Sequence, residues 1–186
     1  MKRLTVIGLL ALILNGCYDT KGSMDTVLSL RQALLSAERC NLQTEITADY
    51  GDELHVFRTE STADSQGSIT FRVLSPESIA GITGSIRDTG GVFHFDDTAI
   101  SFEFLADGQL SPIIAPWLFL NTLRSGFIDS VAEEEDNTHV ILHDGFSENA
   151  LQVDAWINKD GIPIRGEILY DGRRILSLDV TNFEIL

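Results

Sequence analysis

At Leu42 the chain changes period, and nearly everything after it follows from that change. Leu42, Thr44, Ile46 and Ala48 alternate with Gln43, Glu45, Thr47 and Asp49. A repeat of two puts successive side chains on opposite faces, so this is a half-buried strand. Further strand candidates follow at about 53–61, 68–74, 82–88, 91–96 and 99–105. After a break the rhythm returns with Val131–Glu133, Thr138–His143, a strand with Leu151, Val153, Ala155 and Ile157 on one face, then 162–170 and 174–183. The joints are turn formers: Tyr50-Gly51-Asp52, Asp64-Ser65-Gln66-Gly67, Gly90-Gly91, Asp96-Asp97, Asp107-Gly108, Asp160-Gly161 and Asp171-Gly172. They supply the positive φ or side-chain turn bonds that hairpins need. With no internal repeat and no alternation of strand with helix, the sequence predicts nine to eleven antiparallel strands in an α+β, mostly β, domain.

Two segments break the strand pattern. Met24, Val27, Leu28, Leu34 and Leu35 share a helical face, Ser23 or Asp25 can cap that helix, and its pattern runs out near Cys40 and Asn41. Between Ser111 and Arg124, Pro112, Pro116 and the run Trp117-Leu118-Phe119-Leu120 predict a second helix with Pro116 in its first turn. That helix is apolar nearly all round, so something must cover it.

Ahead of the domain, Lys2 and Arg3 precede an apolar run from Leu4, too short to span a bilayer, that closes on Leu14-Asn15-Gly16-Cys17. Leu14 is too bulky for the small-residue rule of ordinary signal cleavage. The tetrapeptide resembles the bacterial lipobox, which implies a signal peptide over 1–16, diacylglycerol and acyl modification of Cys17, and a lipidated tether over 17–22 leading into one domain over 23–186. Two acyl chains give stable anchoring where one is marginal. The expected location is therefore the extracytoplasmic face of a bacterial membrane, with Tyr18 rather than Asp after the cysteine.

Removing Lys2 and Arg3 takes the formal charge from −15 to −17. Such a charge argues against nucleic acid and against electrostatic docking to anionic lipid, since both are bound chiefly through Lys and Arg. With 44% apolar residues the chain can build a core. If Cys17 carries lipid through sulfur, Cys40 has no partner in the chain, and a buried, inert thiol is expected there.

The order of elements resembles the LolA/LolB-type lipoprotein family, most clearly from Asp154 through Trp156, Asp160-Gly161, Pro163 and Glu167 to Ile168, and again in the closing Val180-Thr181-Asn182-Phe183. The middle, Leu74-Ser75-Pro76-Glu77 and Leu110-Ser111-Pro112, is similar to the clostridial germination lipoprotein (GerS-like) branch. The resemblance implies a curved antiparallel sheet forming an open half-barrel, with the N-terminal and inserted helices on its concave side. It also implies a non-catalytic module that holds a protein partner, in that branch a cell-wall or spore-cortex-modifying enzyme. The alternative it implies is an acceptor for an acyl chain or a lipoprotein. Soluble carriers of the family lack an anchor, so a lipobox favours an anchored acceptor or partner-binding protein over a shuttle.

On such a sheet Ile69, Phe71, Val73, Ile82, Ile86, Ile100, Phe102 and Phe104 can line the concave face, with Trp117 and Phe119 capping it. The competing reading is that these residues are simply core. No catalytic residue, metal site or cofactor is expected: the nucleophile elbow, His-Glu-x-x-His, P-loop and dinucleotide motifs do not occur. His139 and His143 stand four apart, but on a strand that is ~13 Å, too far for one zinc. His94, between Phe93 and Phe95, reads as a strand end, and Glu133–Asp136 reads as a solvated turn.

Overall fold

The computed structural model describes residues 20–186 apart from positions 52, 89, 96–97, 103–104, 107–108 and 147–149. Helix α1 (Thr20–Ser36) leads into β1 (Arg39–Asp49), β2 (Leu54–Asp64), β3 (Ile69–Ser75), β4 (Thr83–Arg87), β5 (Gly90–Phe95) and β6 (Thr98–Phe102). A small hairpin of β7 (Leu105–Ala106) and β8 (Gln109–Leu110) and a 3-10 turn bring the chain to helix α2 (Ala115–Ser125). Five strands close the chain: β9 (Phe127–Glu134), β10 (Asn137–His143), β11 (Gln152–Ile157), β12 (Pro163–Tyr170) and β13 (Arg173–Ile185).

Eleven strands form one open sheet in the order β6-β5-β4-β3-β2-β1-β13-β12-β11-β10-β9. It consists of two antiparallel meanders, β1–β6 and β9–β13, joined by the long β1–β13 ladder. Most of the predicted strands lie within a few residues of these elements, and the Pro116 helix is α2. The Asp171-Gly172 hairpin has positive φ at both residues (50° and 71°), the geometry of a two-residue turn that follows strand twist.

One face of the sheet carries both helices. On β1 the even-numbered residues from Cys40 to Ala48 are buried, as the alternation predicts. Helix α2 is buried almost throughout, including Trp117, Phe119 and Arg124. Its Trp117 indole Nε1–H donates to the Gly67 carbonyl (2.9 Å), and its Arg124 guanidinium donates to the Asp64 carbonyl (2.9 Å). From α1, Arg31 donates to the carbonyls of Leu123 (2.8 Å) and Gly126 (2.9 Å), fastening the first helix to the C-terminal end of the second.

The first helix departs from its expected face and end. Its buried stripe is Ser23, Val27, Leu30 and Leu34, while Leu28 and Leu35 point to solvent. Spacings of three and four select that stripe, and Leu28 and Leu35 fall to one side of it. The helix stops at Ser36 rather than near Cys40, because Glu38 and Arg39 give their N–H groups to the Leu186 carbonyl and enter the ladder. At the other end the chain is helical at Thr20, inside the span expected to be a tether.

Candidate functional site at the uncovered end of the helix-bearing face

The strand pairings decide which predicted residues meet. Ile69 pairs with Ile86, Phe71 with Gly84, Gly84 with Phe93, Phe93 with Ile100 and Gly91 with Phe102, so these side chains share the helix-bearing face. Along that face burial falls away toward the β6 edge. Ile69, Phe71, Val73 and Ile86 are buried with Trp117 and Phe119, Ile82 is partly buried, and Phe93 and Phe102 are half-buried. Ile100 is 57% exposed. Phe104 and Cys17 lie outside the described residues.

The open end has a defined aromatic architecture. The rings of Phe71 and Phe93 meet edge to face at 5.7 Å, and Phe93 stacks on Phe102 at 4.3 Å. Each flanking ring is seated on a glycine: a Cβ on Gly84 would run into Phe71, and one on Gly91 into Phe102. Glycine in a strand interior weakens the strand unless another group takes the space, and here aromatic rings take it. The result is an apolar shelf across β3–β6, wet at its outer edge.

Phe93 is the member that the sequence pattern did not single out. It sits in Val92-Phe93-His94-Phe95, where apolar residues on both phases hide the alternation. Its cross-strand partners, Gly84 and Ile100, would have marked it, but pairing register is not written locally.

The opposite face is polar. A groove of about 870 Å³ there is lined by Glu60, Arg72, Thr83 and His94 among others, and Arg72 pairs with Glu60 at 3.5 Å. Farther along, the His139 ring lies flat on Trp156 (4.5 Å, 9° between planes), with Arg165 5.0 Å from the same indole. His139 Nε2 is 3.2 Å from Asp154, and Nδ1 is 3.5 Å from Glu134. His139 is thus a packed residue whose neighbours are Trp156 and carboxylates rather than His143. Among the described residues no group of three or more His, Cys, Asp or Glu side chains is arranged to hold a metal ion.

Cys40 is fully buried on β1, and burial pushes its thiol up to about 11, with the charge of Arg124 acting in the other direction. That is the environment of an unreactive cysteine.

No protein-family model and no curated protein matches the sequence. Solved structures do. The chain is similar to a LolA superfamily protein from Nitrosomonas europaea (10% identity, 86% of this chain and 93% of that one, TM-score 0.46). It is similar also to a putative outer membrane lipoprotein-sorting protein domain from Vibrio parahaemolyticus (9%, 86% and 90%, TM-score 0.48). A third is the lipoprotein LppX of Mycobacterium tuberculosis (10%, 87% and 93%, TM-score 0.41). Likeness at this level carries no functional assignment, and the function must be read from the chain's own residues.

Proposed function

We propose that this chain is a LolA/LolB-like, lipid-anchored, non-catalytic binding module on the extracytoplasmic face of a bacterial membrane, and that the β3–β6 shelf holds a protein partner. One observation carries the reading: Phe93, Phe102 and Ile100 continue the core face past the cover of α2 and remain open to solvent. Apolar area left in water forgoes about 25 cal/mol per Å², and a contiguous patch of it marks an interaction surface. Aromatic side chains held rigid by stacking present that area at small entropic cost. The family resemblance supports a half-barrel with the helices on its concave side. The partner it suggests is a cell-wall or cortex-modifying enzyme, as in the germination-lipoprotein branch.

A partner protein fits better than an acyl chain because α2 occupies the middle of the face. Phe119 has no exposed surface and lies against Gly166, where an added Cβ would come within 2.6 Å of the ring. A buried acyl chain needs unfilled space there. Cys17 is the proposed attachment point, and Cys17→Ala should release the protein from membranes or leave its signal uncut. Unchanged processing and partitioning would remove the anchor from this account.

The test is capture from envelope extract by the lipid-free domain Tyr18–Leu186, with protein and extracted lipid both identified by mass spectrometry. A stoichiometric protein retained by the native domain and lost with Ile100→Asp supports the reading. Copurifying acyl chains without a protein would replace it with an acyl or lipoprotein acceptor.

A further inference from the structure

Two pairs of exposed apolar side chains lie toward the β9 edge of the sheet, away from the shelf: one on α1, and one at β9, where Phe127 pairs with His143 on the face opposite the helices. On α1, Leu28 and Leu35 are seven residues apart on one exposed stripe, 47% and 62% exposed. That stripe adjoins Arg31, which bonds the carbonyl of Gly126, the residue before Phe127. Phe127 opens β9, the edge strand of the sheet, and its ring is 5.5 Å from that of Phe146, which is 90% exposed.

The position of the anchor says what this side meets. Cys17 precedes the helical residue Thr20 by three residues, a span of about 10 Å at full extension, so an acylated Cys17 holds the start of α1 at the bilayer surface. Around that start, a groove of about 290 Å³ brings Ser23 and Thr26 together with Glu133, Asp136, Asn158 and Lys159. Were α1 upright, the turns after β9 and β11 would face the headgroups, setting Glu133, Glu134, Glu135, Asp136 and Asp160 against Lys159 and the Lys21 of the first turn of α1, an excess of negative charge. Anionic lipid repels such a cluster. Were α1 to lie along the membrane, the acidic turns would move aside and the leucine stripe would come down on the bilayer. Leu35 is ~22 Å along the helix axis from Thr20, so the contact runs the length of the helix.

We propose that the anchored domain lies on its α1–β9 side, with Leu28, Leu35, Phe127 and Phe146 in contact with the bilayer. This pose rests on the lipid-anchor reading above, and the β3–β6 shelf, at the other end of the sheet from β9, is not part of the contact. The acyl chains keep the surface near, so a contact too weak to recruit the domain by itself still fixes its orientation.

The test uses the acylated protein purified from membranes and placed in phosphatidylcholine–phosphatidylglycerol vesicles containing brominated lipid. A bimane label is attached at Gly145→Cys, where a Cβ has nothing within 4 Å, or at Leu54→Cys on β2, six strands from β9. Cys40 is buried and the Cys17 sulfur is acylated, so labelling is confined to the new thiol. The label beside Phe146 should be quenched at least about threefold more than the one on β2, and Leu28→Ser/Leu35→Ser should erase the difference while flotation persists. Equal quenching at the two sites would overturn the pose. So would protection of the Gly145 label in native envelopes but not in vesicles, which would assign the patch to a protein. Failure to float would remove the anchor, and the pose with it.

Discussion

The two ends of the helix-bearing face are built from the same alternation of residues and put to different use. Over β1, β12 and β13 the face meets α2: Phe119 fits the space left by Gly166, and Cys40, Leu42, Ile46, Ile168 and Leu178 are closed from water. Over β4–β6 the glycines recur, but the rings that fill them, Phe71 and Phe102, come from the sheet itself, and among the described residues no helix completes the layer. An apolar strand face is therefore not a site until its cover is known. The same residue types are core where α2 reaches and candidate interface where it does not.

Breaking the covered end should cost the most. Phe119→Ala removes a fully buried ring and is expected to lower stability by about 3–5 kcal/mol in urea unfolding. A loss under about 1 kcal/mol would mean that the layer is not packed as described.

Cys40 offers a pH test of the same end. Its thiol is raised to about 11 in the folded state, against about 8.5 for an ordinary unfolded thiol. The native state keeps the proton that the unfolded chain loses, so this contribution is complete below the unfolded value and disappears as pH rises through the folded one. Between about pH 8.5 and 11 the protein should lose roughly 2–3 kcal/mol more stability than Cys40→Ala loses. Parallel pH curves for the two proteins would contradict the burial.

At the uncovered end the effects should be smaller in stability and larger in binding. Gly91→Ala sets a Cβ against the Phe102 ring and is expected to cost about 1–3 kcal/mol, because ring and strand must shift. Ile100→Ser, at a mostly exposed position, should change unfolding by less than about 0.5 kcal/mol, yet weaken partner capture at least about tenfold. If Ile100→Ser costs as much stability as a core truncation, the two ends are alike and the contrast fails. A small effect confined to stability is expected at the Glu135-Asp136 turn, where φ is positive at both residues (49° and 75°). Replacing the pair by Asn-Gly should stabilise by about 0.5–1 kcal/mol and leave binding alone.

The strands were legible because their alternation and turns are local. Leu42 to Ala48 and the Asp-Gly joints state their structure in a few residues, and Pro116 with its apolar run marks α2. The end of α1 was not legible. Leu34, Ala37 and Cys40 prolong a helical spacing, and only the bonds from Glu38 and Arg39 to Leu186, at the other end of the chain, convert the segment to strand. The same limit hid Phe93, whose face is set by register with β4 and β6. Among the predicted face residues, sequence could name the apolar side chains, but not where α2 would stop covering them.

The most direct test of the central claim is photocrosslinking in intact envelopes from a probe residue placed at Ile100, with the same probe at Leu54 as reference. One discrete protein adduct is expected from position 100, and it should be absent from position 54. The contrary result is lipid adducts alone from position 100, or the same adducts from both positions.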